Sequence, residues 1–368
     1  MDEIYIEFFD LELDKTVLEW NTFVSEFENG HHHNSSYLRA IFDAYPEHEN
    51  FSIIAKSKKN HKIVGVLPLI GQRSFLWGNQ LTSMPFFNYG GALFFDSKVE
   101  LALLEKADQI MRTEGFDKVE VRSLSKLVNE ENLSFDGWHT HTHKVSMILD
   151  LPSDVELISS GKKRTKLKSQ CKRYLRESES TGINIKQVFG RDENLLNDFY
   201  TVFSRNMRDL GTPVYGLEFF KSMLSNIDSV ITVVYWGKKP VSCGFLFKHE
   251  KPSGIEFSIP WASSLSEFGK ISVNLYMYFN IIDYAIKNNA KTFDFGRSTI
   301  DSGTYRFKKQ WGALPITCHW HQLLIDESIS EPRLDTSQGK MKYVVGAWKK
   351  LPVFIANTFG PLIVKNIP

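Results

Sequence analysis

An acid, a cation and flexible glycines occur close together between residues 292 and 312 of this chain. Asp294 stands in a β-type run that reaches Gly296, and a glycine inside a strand allows another backbone or a ligand to approach closely. Arg297 follows at a predicted strand end, where loops commonly carry functional groups. Tyr305 and Lys308 add two hydrogen-bond donors. These residue types are those that acyl transfer requires.

Acyl transfer to an amine or a hydroxyl makes three demands on a protein. A base must accept the proton of the attacking group, donors must stabilise the developing oxyanion, and both substrates must be held in contact. The predicted base is Asp294, or Glu256 on the preceding strand. We expect the strands that carry these two acids to be neighbours that diverge where Pro260 and Gly296 interrupt them. The predicted oxyanion donors are Arg297, Lys308, Tyr305 and backbone N–H groups.

Further polar and aromatic side chains are predicted to bind substrate. A helix that ends in Asn, Arg and Asp meets a Gly-Thr-Pro turn within residues 206–215, so three polar side chains converge there. In the first half, an amide and an aromatic side chain precede two glycines at residues 88–91, although a hairpin turn explains the glycines equally well. The predicted substrate-binding residues are Asn88, Tyr89, Asn206, Arg208, Asp209, Trp261, Ser298 and Gln310.

Several of these residues also have a purely structural interpretation. Asp294 could hydrogen-bond the turn after its own strand, as acids at strand ends commonly do. Arg297 could pair with Asp294 or Asp209, and Asp209 could be a helix-end partner of Arg205 or Arg208.

The aromatic residues near Lys308 have a structural alternative too. Tyr305, Phe307 and Trp311 could form an aromatic strand packed on the core, with Lys308 in solvent. Trp261 is more typical of a core residue than of a ligand-stacking one.

Histidines at two places suggest metal ligands. His139, His141 and His143 alternate, so they would share one face of a strand and could offer two ligands to zinc. Because no acidic or thiol partner lies nearby in the sequence, we expect no metal there. His31–His33 lie in a polar segment that predicts a solvated loop, although they could line a cleft.

The same order of elements occurs twice, which predicts an internal duplication of one α/β unit. In each copy a β-hairpin precedes a helix and a short strand. The first copy has these elements at residues 51–55, 63–67, 100–114 and 118–121, and the second at 230–234, 241–245, 273–289 and 292–295. Glu120 and Asp294 then occupy matching strands.

The predicted domains are residues 1–150, residues 151–325 and an apolar C-terminal tail at 326–368. The linker is Leu151–Asp154, and a long basic helix is predicted from about residue 155 to 179. That helix could attract the phosphates of coenzyme A, tRNA or a lipid-linked sugar, or simply form a solvated face. Pro352, Gly360 and Pro361 are expected to break the tail, which could cover the second domain or touch the inner leaflet.

Composition restricts the class of protein. The 368 residues are 42% hydrophobic with a formal net charge of +1, so a partner must be attracted by a local patch rather than a global field. The acidic N-terminus lacks a signal-peptide pattern, and no apolar stretch approaches the roughly 20 residues that span a bilayer. Three widely spaced cysteines suit a reducing compartment. The predicted location is the cytoplasm, with peripheral contact to the inner membrane left open.

Several long motifs resemble those of FemAB-like proteins of the GNAT superfamily, specifically the group associated with exosortase/PEP-CTERM systems. They cover residues 292–298, 303–312, 206–215 and 259–264, together with Val273–Met277 and Lys144–Met147. The resemblance extends over most of the chain from about Lys144 to Trp320. It implies tandem GNAT-like (acyl-CoA N-acyltransferase) domains with mixed α/β sheets and a BioF2-like acetyltransferase domain.

The same resemblance implies acyl or aminoacyl transfer to an amine or hydroxyl of an exopolysaccharide or peptidoglycan precursor, lipid-linked or free. The donor is left open between acyl-CoA and aminoacyl-tRNA. Many acetyl-CoA users of the superfamily carry an Arg/Gln-x-x-Gly-x-Gly/Ala loop, whereas this chain has Glu267–Ser272 there. The alternatives are a FemX-like aminoacyl-tRNA-dependent ligase and a non-catalytic scaffold in exopolysaccharide assembly. Neither DNA binding nor a metal is expected.

Overall fold

The computed structural model describes residues 3–74, 77–127, 137–158, 165–326 and 339–367, with the backbone alone for 339–341. The first half contains β1 (Ile4–Phe8), α1 (Asp14–Val24), α2 (Ser35–Ala44), β2 (Glu49–Asn50), β3 (Ile53–Ser57), β4 (Ile63–Leu67), β5 (Ile70–Gln72), β6 (Gln80–Thr82), β7 (Leu93–Phe94), α3 (Ser97–Glu114), β8 (Lys118–Ser123) and β9 (Trp138–Asp150). A 3-10 turn at His31–His33 precedes α2.

The second half also mixes helices and strands, and the tail is helical. They contain α4 (Val155–Ile158), α5 (Thr165–Cys171), α6 (Arg173–Thr181), β10 (Ile185–Gly190), α7 (Glu193–Leu210), α8 (Leu217–Asn226), β11 (Ser229–Trp236), β12 (Lys239–Lys251), β13 (Gly254–Ser264), α9 (Val273–Lys287), β14 (Ala290–Thr299), α10 (Gly303–Lys309), β15 (Leu314–Leu324), α11 (Gly339–Trp348) and α12 (Val353–Val364). The chain therefore has the mixed α/β fold that the sequence predicts.

Both predicted hairpins are confirmed. Strands β3 and β4 pair antiparallel, as do β11 and β12. The helix and strand predicted after each hairpin are α3 with β8 and α9 with β14, within a few residues of the predicted bounds. β-Branched runs around short polar turns account for the hairpins, and apolar residues at helical spacing account for the helices.

One eleven-stranded sheet runs through both halves, in the order β10-β11-β12-β13-β14-β9-β15-β8-β6-β5-β2. A smaller sheet has the order β1-β3-β4-β7. Among the described strands of the large sheet, β13 with β14 and β6 with β8 are the parallel pairs. Glu120 pairs with Thr82 and Asp294 with Ser258, each at the end of its parallel ladder. The predicted equivalence of the Glu120 and Asp294 strands is thus confirmed.

The last strand of each half pairs with strands of the other half. β9 follows β8 in the chain, yet it lies between β14 and β15. β15 follows β14, yet it lies between β9 and β8. Sequence-adjacent strands usually pair with one another, but β9 and β15 each pair with strands of the other half. This exchange fixes how the halves are oriented. The division at residue 150 remains a prediction, because the sheet is continuous across it.

The two halves also share a hydrophobic core. Helices α1 and α2 contribute Trp20, Leu38 and Ile41, while α7 and α8 contribute residues such as Phe199 and Phe220. Separate cores lie under α9 in the second half and under α3 in the first half. Burial of large aromatic side chains between the halves makes their separation costly, at about 1.5–3 kcal/mol per fully buried side chain.

The described parts of the long basic helix predicted from residue 155 to 179 are helical. They are α4, α5 and α6, and residues 159–164 lie outside the described chain. Between α5 and α6, Lys172 has helical backbone angles, and i→i+4 hydrogen bonds of 3.2 Å, from the Lys172 N–H to Lys168 and from the Arg176 N–H to Lys172, cross the junction. Cys171 and Tyr174 are buried against the second-half core, so the apolar stripe of this segment faces the protein.

The tail is helical through positions that were expected to break it. Pro352 does precede α12, but the helix continues through Gly360 and Pro361. Ala356, Gly360 and Val364 are buried at four-residue spacing, so this stripe of α12 faces the protein. Packing along that stripe overrides the poor helix propensity of glycine and proline.

The tail attaches to both halves at its two ends. Arg208 on α7 donates to the carbonyl oxygen of Leu351, just before α12. Beyond α12, the Lys365 carbonyl oxygen accepts hydrogen bonds from His48 and Gln72, each at 3.0 Å. α12 is therefore a strap that ties the first half to α7.

Gly360 and Gly346 provide a matched test of this packing. A Cβ added at Gly360 would lie 2.9 Å from the Val214 nitrogen and 3.0 Å from its carbonyl oxygen, whereas nothing lies within 4 Å of one added at Gly346. We expect Gly360→Ala to lower the melting temperature, because rigid backbone must move. Gly346→Ala should leave it unchanged or raise it, since alanine favours a helix by about 1 kcal/mol over glycine. Equal melting temperatures for the two variants would contradict this packing.

Candidate active site

The parallel strands β13 and β14 separate in the middle of the large sheet. Their pairing runs from Ile255 with Ala290 to Ser258 with Asp294 and then stops. Beyond that point β13 pairs with β12 and β14 with β9. Pro260 lacks a backbone N–H for the ladder, and Gly296, at φ +76°, lies in a bulge of β14. The prediction that these strands diverge at Pro260 and Gly296 is confirmed.

A cavity of roughly 320 Å³ lies where the strands separate. Its polar lining includes Ser258 and Asp294 at the last paired position, followed by Arg297 and Lys308. The first half contributes Asn88, and aromatic rings from both halves complete the wall. A volume of this size can hold a small-molecule substrate. The site therefore depends on both halves of the chain.

Asp294 is buried at the inner end of the cavity. Its carboxylate accepts hydrogen bonds from the Ser146 hydroxyl at 2.8 Å and the Gly296 N–H at 2.7 Å. Burial, followed by repulsion from Glu256, raises the pKa of Asp294 to about 6, although Ser146, Gly296 and Lys308 oppose the shift. The hydrogen bond to its own turn is the structural role left open by the sequence. The lining of the cavity shows that the same carboxylate also faces a space for substrate.

Lys308 holds the backbone that follows Asp294. Its ammonium donates to the carbonyl oxygens of Gly296 at 2.9 Å and Arg297 at 2.8 Å. Burial lowers the pKa of Lys308 to about 8, and the Asp294 charge opposes that shift. Lys308 is buried on helix α10, so the alternative is wrong about a strand and about Lys308 in solvent, although Tyr305, Phe307 and Trp311 do pack on the core as it expected. A seven-residue helix capped by Ser302 forms there instead.

Arg297 presents its guanidinium to the cavity. The guanidinium carbon lies 4.8 Å from the centre of the Trp320 ring, and solvent reaches the side chain. Surrounding protein and the nearby charge of Arg122 lower its pKa. Within the described chain, its guanidinium has no hydrogen-bond or ion-pair partner, so pairing with Asp294 or Asp209 is not observed. A planar fork of donors without a partner suits a carboxylate, a phosphate or an oxyanion.

Arg122 is the first-half counterpart of Arg297. It lies two residues after Glu120, and its guanidinium carbon is 4.6 Å from the same Trp320 ring. Unlike Arg297, it is buried and donates to Glu120 at 2.6 Å. The duplication thus yields one paired arginine and one that faces a cavity.

Glu256 lies outside the cavity lining. Its buried carboxylate accepts from Lys251 at 3.0 Å and from Thr292 at 2.8 Å, and the other oxygen lies 3.9 Å from His31 Nε2. Tyr89 is also buried, and its hydroxyl is bonded to His31 at 3.0 Å. Neither residue lines the cavity. Glu256 influences the site through its charge, which repels that of Asp294, and Tyr89 influences it through packing. The glycines after Tyr89 do not form a hairpin turn, because the strands flanking them, β6 and β7, lie in different sheets.

The other predicted substrate-binding residues divide into two groups. Asn88 and Trp261 line the cavity, with Trp261 also packed in the core among aromatic rings. Asn206 donates to Ser263 and Arg208 pairs with Asp209, all outside the lining. Also outside the lining are exposed Gln310, half-buried Tyr305, and Ser298, whose buried hydroxyl lacks a hydrogen-bond partner among the described residues.

His31–His33 are not a solvated loop, because packing between the halves buries them. Among the described residues, His31, His32 and His249 form a group whose possible ligand atoms lie within 4.8 Å of one another. Burial lowers the pKa of all three. Both nitrogens of His249 already bond, to Tyr37 and Ser258, so a metal would have to displace one of these. His141, from the other histidine group, bonds Gln322 at 3.0 Å.

Sequence reasoning missed several residues of the site. Ser146 lies within one of the motifs quoted above, but only the pairing of β9 with β14 brings it to Asp294. Ser258 could have been found by aligning the two parallel strands, since it pairs with Asp294. Tyr215 and Phe86 line the cavity from loops, and no local pattern marks such residues.

Comparison with known proteins identifies one matching family model and several solved structures with a similar fold. Residues 162–309 match the family model described as an acetyltransferase (GNAT) domain. No curated protein sequence matches the chain. FemX is similar in structure, with a TM-score of 0.60 and 14% identity over 83% of this chain and 95% of that chain.

Two further solved structures are similar. One is a tandem GNAT protein from the clavulanic acid biosynthesis pathway, with a TM-score of 0.56 and 9% identity over 87% of this chain and 98% of that chain. The other is Saccharomyces cerevisiae N-myristoyltransferase with bound myristoyl-CoA. Its TM-score is 0.52, with 7% identity over 88% of this chain and 83% of that chain. At these identities the likeness shows the fold, which is a mixed α/β fold of the tandem GNAT type.

Replacing Arg297 with lysine separates a binding role from a structural one. Lysine keeps the charge but loses the planar fork. We expect Arg297→Lys to leave the melting temperature nearly unchanged and to weaken substrate affinity or turnover by about 2 kcal/mol, as for a charge-assisted hydrogen bond. Melting curves and ligand titrations on the same sample measure both.

Arg122→Lys is the matched control. Because Arg122 is buried and paired with Glu120, this variant should lose stability. If Arg297→Lys instead lost stability while the folded protein bound substrate normally, Arg297 would have no place in the site.

Proposed function

We propose that the protein transfers an activated acyl or aminoacyl group to an amine or hydroxyl of a cell-envelope saccharide precursor. The observation that carries this proposal is the gap between β13 and β14, which opens on Asp294, Arg297 and Lys308. A buried carboxylate and a guanidinium without an ion-pair or hydrogen-bond partner among the described residues both line a space large enough for substrate, and these are groups that such a transfer needs. The GNAT match over residues 162–309 supports the same reaction class.

The proposed reaction assigns a role to each group. The acceptor's nitrogen or oxygen attacks the donor carbonyl carbon, and Asp294 takes the proton that the acceptor loses. Arg297 donates hydrogen bonds to the carbonyl oxygen as it becomes negative. The bond to the donor's sulfur or oxygen then breaks, and the leaving thiolate or alkoxide takes up the proton that Asp294 accepted, directly or through water, which restores the carboxylate. Lys308 is a positioning residue, because it fixes the backbone that carries Arg297.

We further propose that the protein belongs with the FemAB-like group associated with exosortase/PEP-CTERM systems. The long motifs quoted from residues 206–215, 259–264 and 292–312 support this assignment. It makes an exopolysaccharide or peptidoglycan precursor the acceptor, and places the reaction in the cytoplasm, with contact at the inner membrane where a lipid-linked acceptor would lie.

Two donors fit the proposal. An acyl-CoA is supported by the similar structure that contains myristoyl-CoA. An aminoacyl-tRNA is supported by the likeness to FemX, and by the exposed cations of α5 and α6, including Lys166, Lys172 and Arg173. At the place where many acetyl-CoA users carry the Arg/Gln-x-x-Gly-x-Gly/Ala loop, this chain has the 3-10 segment Ser266–Ile271. That segment leads into α9 through Ser272, whose φ is +62°.

The experiment is a donor screen followed by product analysis. Melting temperatures are measured with coenzyme A thioesters, nucleotide sugars and charged tRNA, and donors that stabilise the protein are incubated with candidate acceptors. Mass spectrometry should find the acceptor heavier by one acyl or aminoacyl group. If acceptors bind but no donor is ever consumed, the protein is instead a scaffold derived from this fold.

Asp294→Asn tests the base directly. Asparagine can still accept from the Gly296 N–H and donate to Ser146, so we expect little loss of melting temperature. Turnover near pH 7 should fall by about 10²–10⁴-fold, the usual contribution of a general base. Full activity of a folded Asp294→Asn variant would contradict the assignment.

The pH profile of the unmodified protein follows from the two shifted pKa values. Asp294 must be ionised to accept a proton, so turnover should rise as pH increases through about 6. Lys308 must keep its proton to hold both carbonyl oxygens, so turnover should fall above about 8. Glu256→Gln removes the repulsion that raises the Asp294 pKa and should move the acid limb to lower pH. An acid limb that does not move would show that Glu256 does not influence Asp294.

A further inference from the structure

The outward face of α12 is apolar, which is unusual for a surface helix. Phe354 is 72% exposed, Leu362 is 59% exposed and Phe359 is 55% exposed. The opposite stripe of the same helix is buried against the protein. A helix with apolar residues on both faces is normally covered by other apolar groups on both faces.

The preceding helix α11 also exposes apolar side chains. Tyr343 is 82% exposed and Val344 is 56% exposed. We call these two residues, together with Phe354, Phe359 and Leu362, the tail patch. Exposed apolar surface beyond scattered single residues marks interaction sites on proteins.

The charged side chains of the tail segment itself have one sign. From residue 339 to the C-terminus, the sequence contains five lysines and no aspartate or glutamate. Lys342, Lys349 and Lys350 are exposed, whereas Lys365 pairs with Glu47 at 2.7 Å. Exposed aromatic and aliphatic side chains flanked by lysines are the composition that binds an anionic lipid surface.

The buried stripe of α12 lies close to the wall of the cavity. Gly360 packs against Val214, and Pro361 lies beside Gly216. Tyr215, between these two contacts, lines the cavity. A lipid surface against the tail patch would therefore be separated by α12 from the part of the cavity wall that Tyr215 forms. A lipid-linked acceptor anchored in that surface would lie close to the cavity.

We infer that α11 and α12 dock the protein on an anionic membrane surface through the tail patch. The side chains of Phe354, Phe359 and Leu362 enter the boundary between headgroups and acyl chains, and the lysines contact the headgroup phosphates. Within the described chain, no helix is long and apolar enough to cross a membrane. This inference deepens the proposed function by identifying the surface on which its acceptor is presented.

Vesicle flotation with the full chain tests the inference. Purified protein is mixed with vesicles of phosphatidylglycerol and phosphatidylethanolamine, or of phosphatidylcholine alone, at about 0.1 M salt. We expect flotation with the anionic vesicles and at least tenfold less with phosphatidylcholine. Raising the salt to about 0.5 M should weaken binding, because it screens the lysines. Equal flotation with both kinds of vesicle, or with neither, would overturn the inference.

Matched variants locate the binding surface. The triple variant Phe354→Ser, Phe359→Ser, Leu362→Ser should lose flotation at least tenfold, and Lys349→Glu with Lys350→Glu should lose it on anionic vesicles. Leu18→Ser, at a 69% exposed residue on α1, should bind as the unmodified protein does. Since all the substituted residues are exposed, melting temperatures should change little. Unchanged flotation of the triple variant would exclude the tail patch.

A second copy of the chain is the competing occupant. If light scattering shows a dimer that the triple variant converts to a monomer, and neither form floats with vesicles, the patch is a dimer interface and the inference fails. The assay contains no donor and no acceptor, so its outcome is independent of whether acyl transfer occurs.

Discussion

The pairing of β9 with β15 holds the two halves of the sheet together, and the position of every group in the site depends on it. Through β9, Ser146 reaches Asp294 from a strand that precedes the second half in the chain. Through β15, Trp320 lies against both Arg122 and Arg297. The strap formed by α12 then ties the halves a second time. A site made this way has little freedom to change the spacing between its acid and its cation.

Each of the duplicated strands carries an acid followed by an arginine, but the spacing and the surroundings differ, because Gly296 adds one residue between Asp294 and Arg297. In the first half, the acid and the arginine that follows it neutralise one another in a dry interior, where such a pair contributes mainly to structure. In the second half, the bulge at Gly296 turns the arginine away from Asp294 and towards the cavity. Burial and repulsion from Glu256 then raise the pKa of Asp294 to about 6, a range useful to a base, although its neutral donors and the charge of Lys308 oppose the rise. One glycine thus accounts for much of the difference between the two halves.

Local patterns in the sequence predicted the local structure. The hairpins, α3 and α9 follow from periodicity, and the divergence at Pro260 and Gly296 follows from what these two residues do to a ladder. Long-range packing could not be predicted from such patterns. The exchange of β9 and β15, the burial of His31–His33 between the halves, and the helical path through Pro361 all depend on contacts distant in sequence. The aromatic residues after Gly303 form a helix rather than a strand, which so short a run cannot reveal.

We propose that the donor occupies the gap between β13 and β14. Hydrogen–deuterium exchange, measured with and without each donor of the screen, tests this placement. Exchange should slow at residues 258–264 and 294–299 when a donor binds, while the equivalent first-half strand segment at 120–123, which does not line the cavity, should exchange as before. Protection of residues 120–123 without protection of either second-half segment would contradict this placement of the donor.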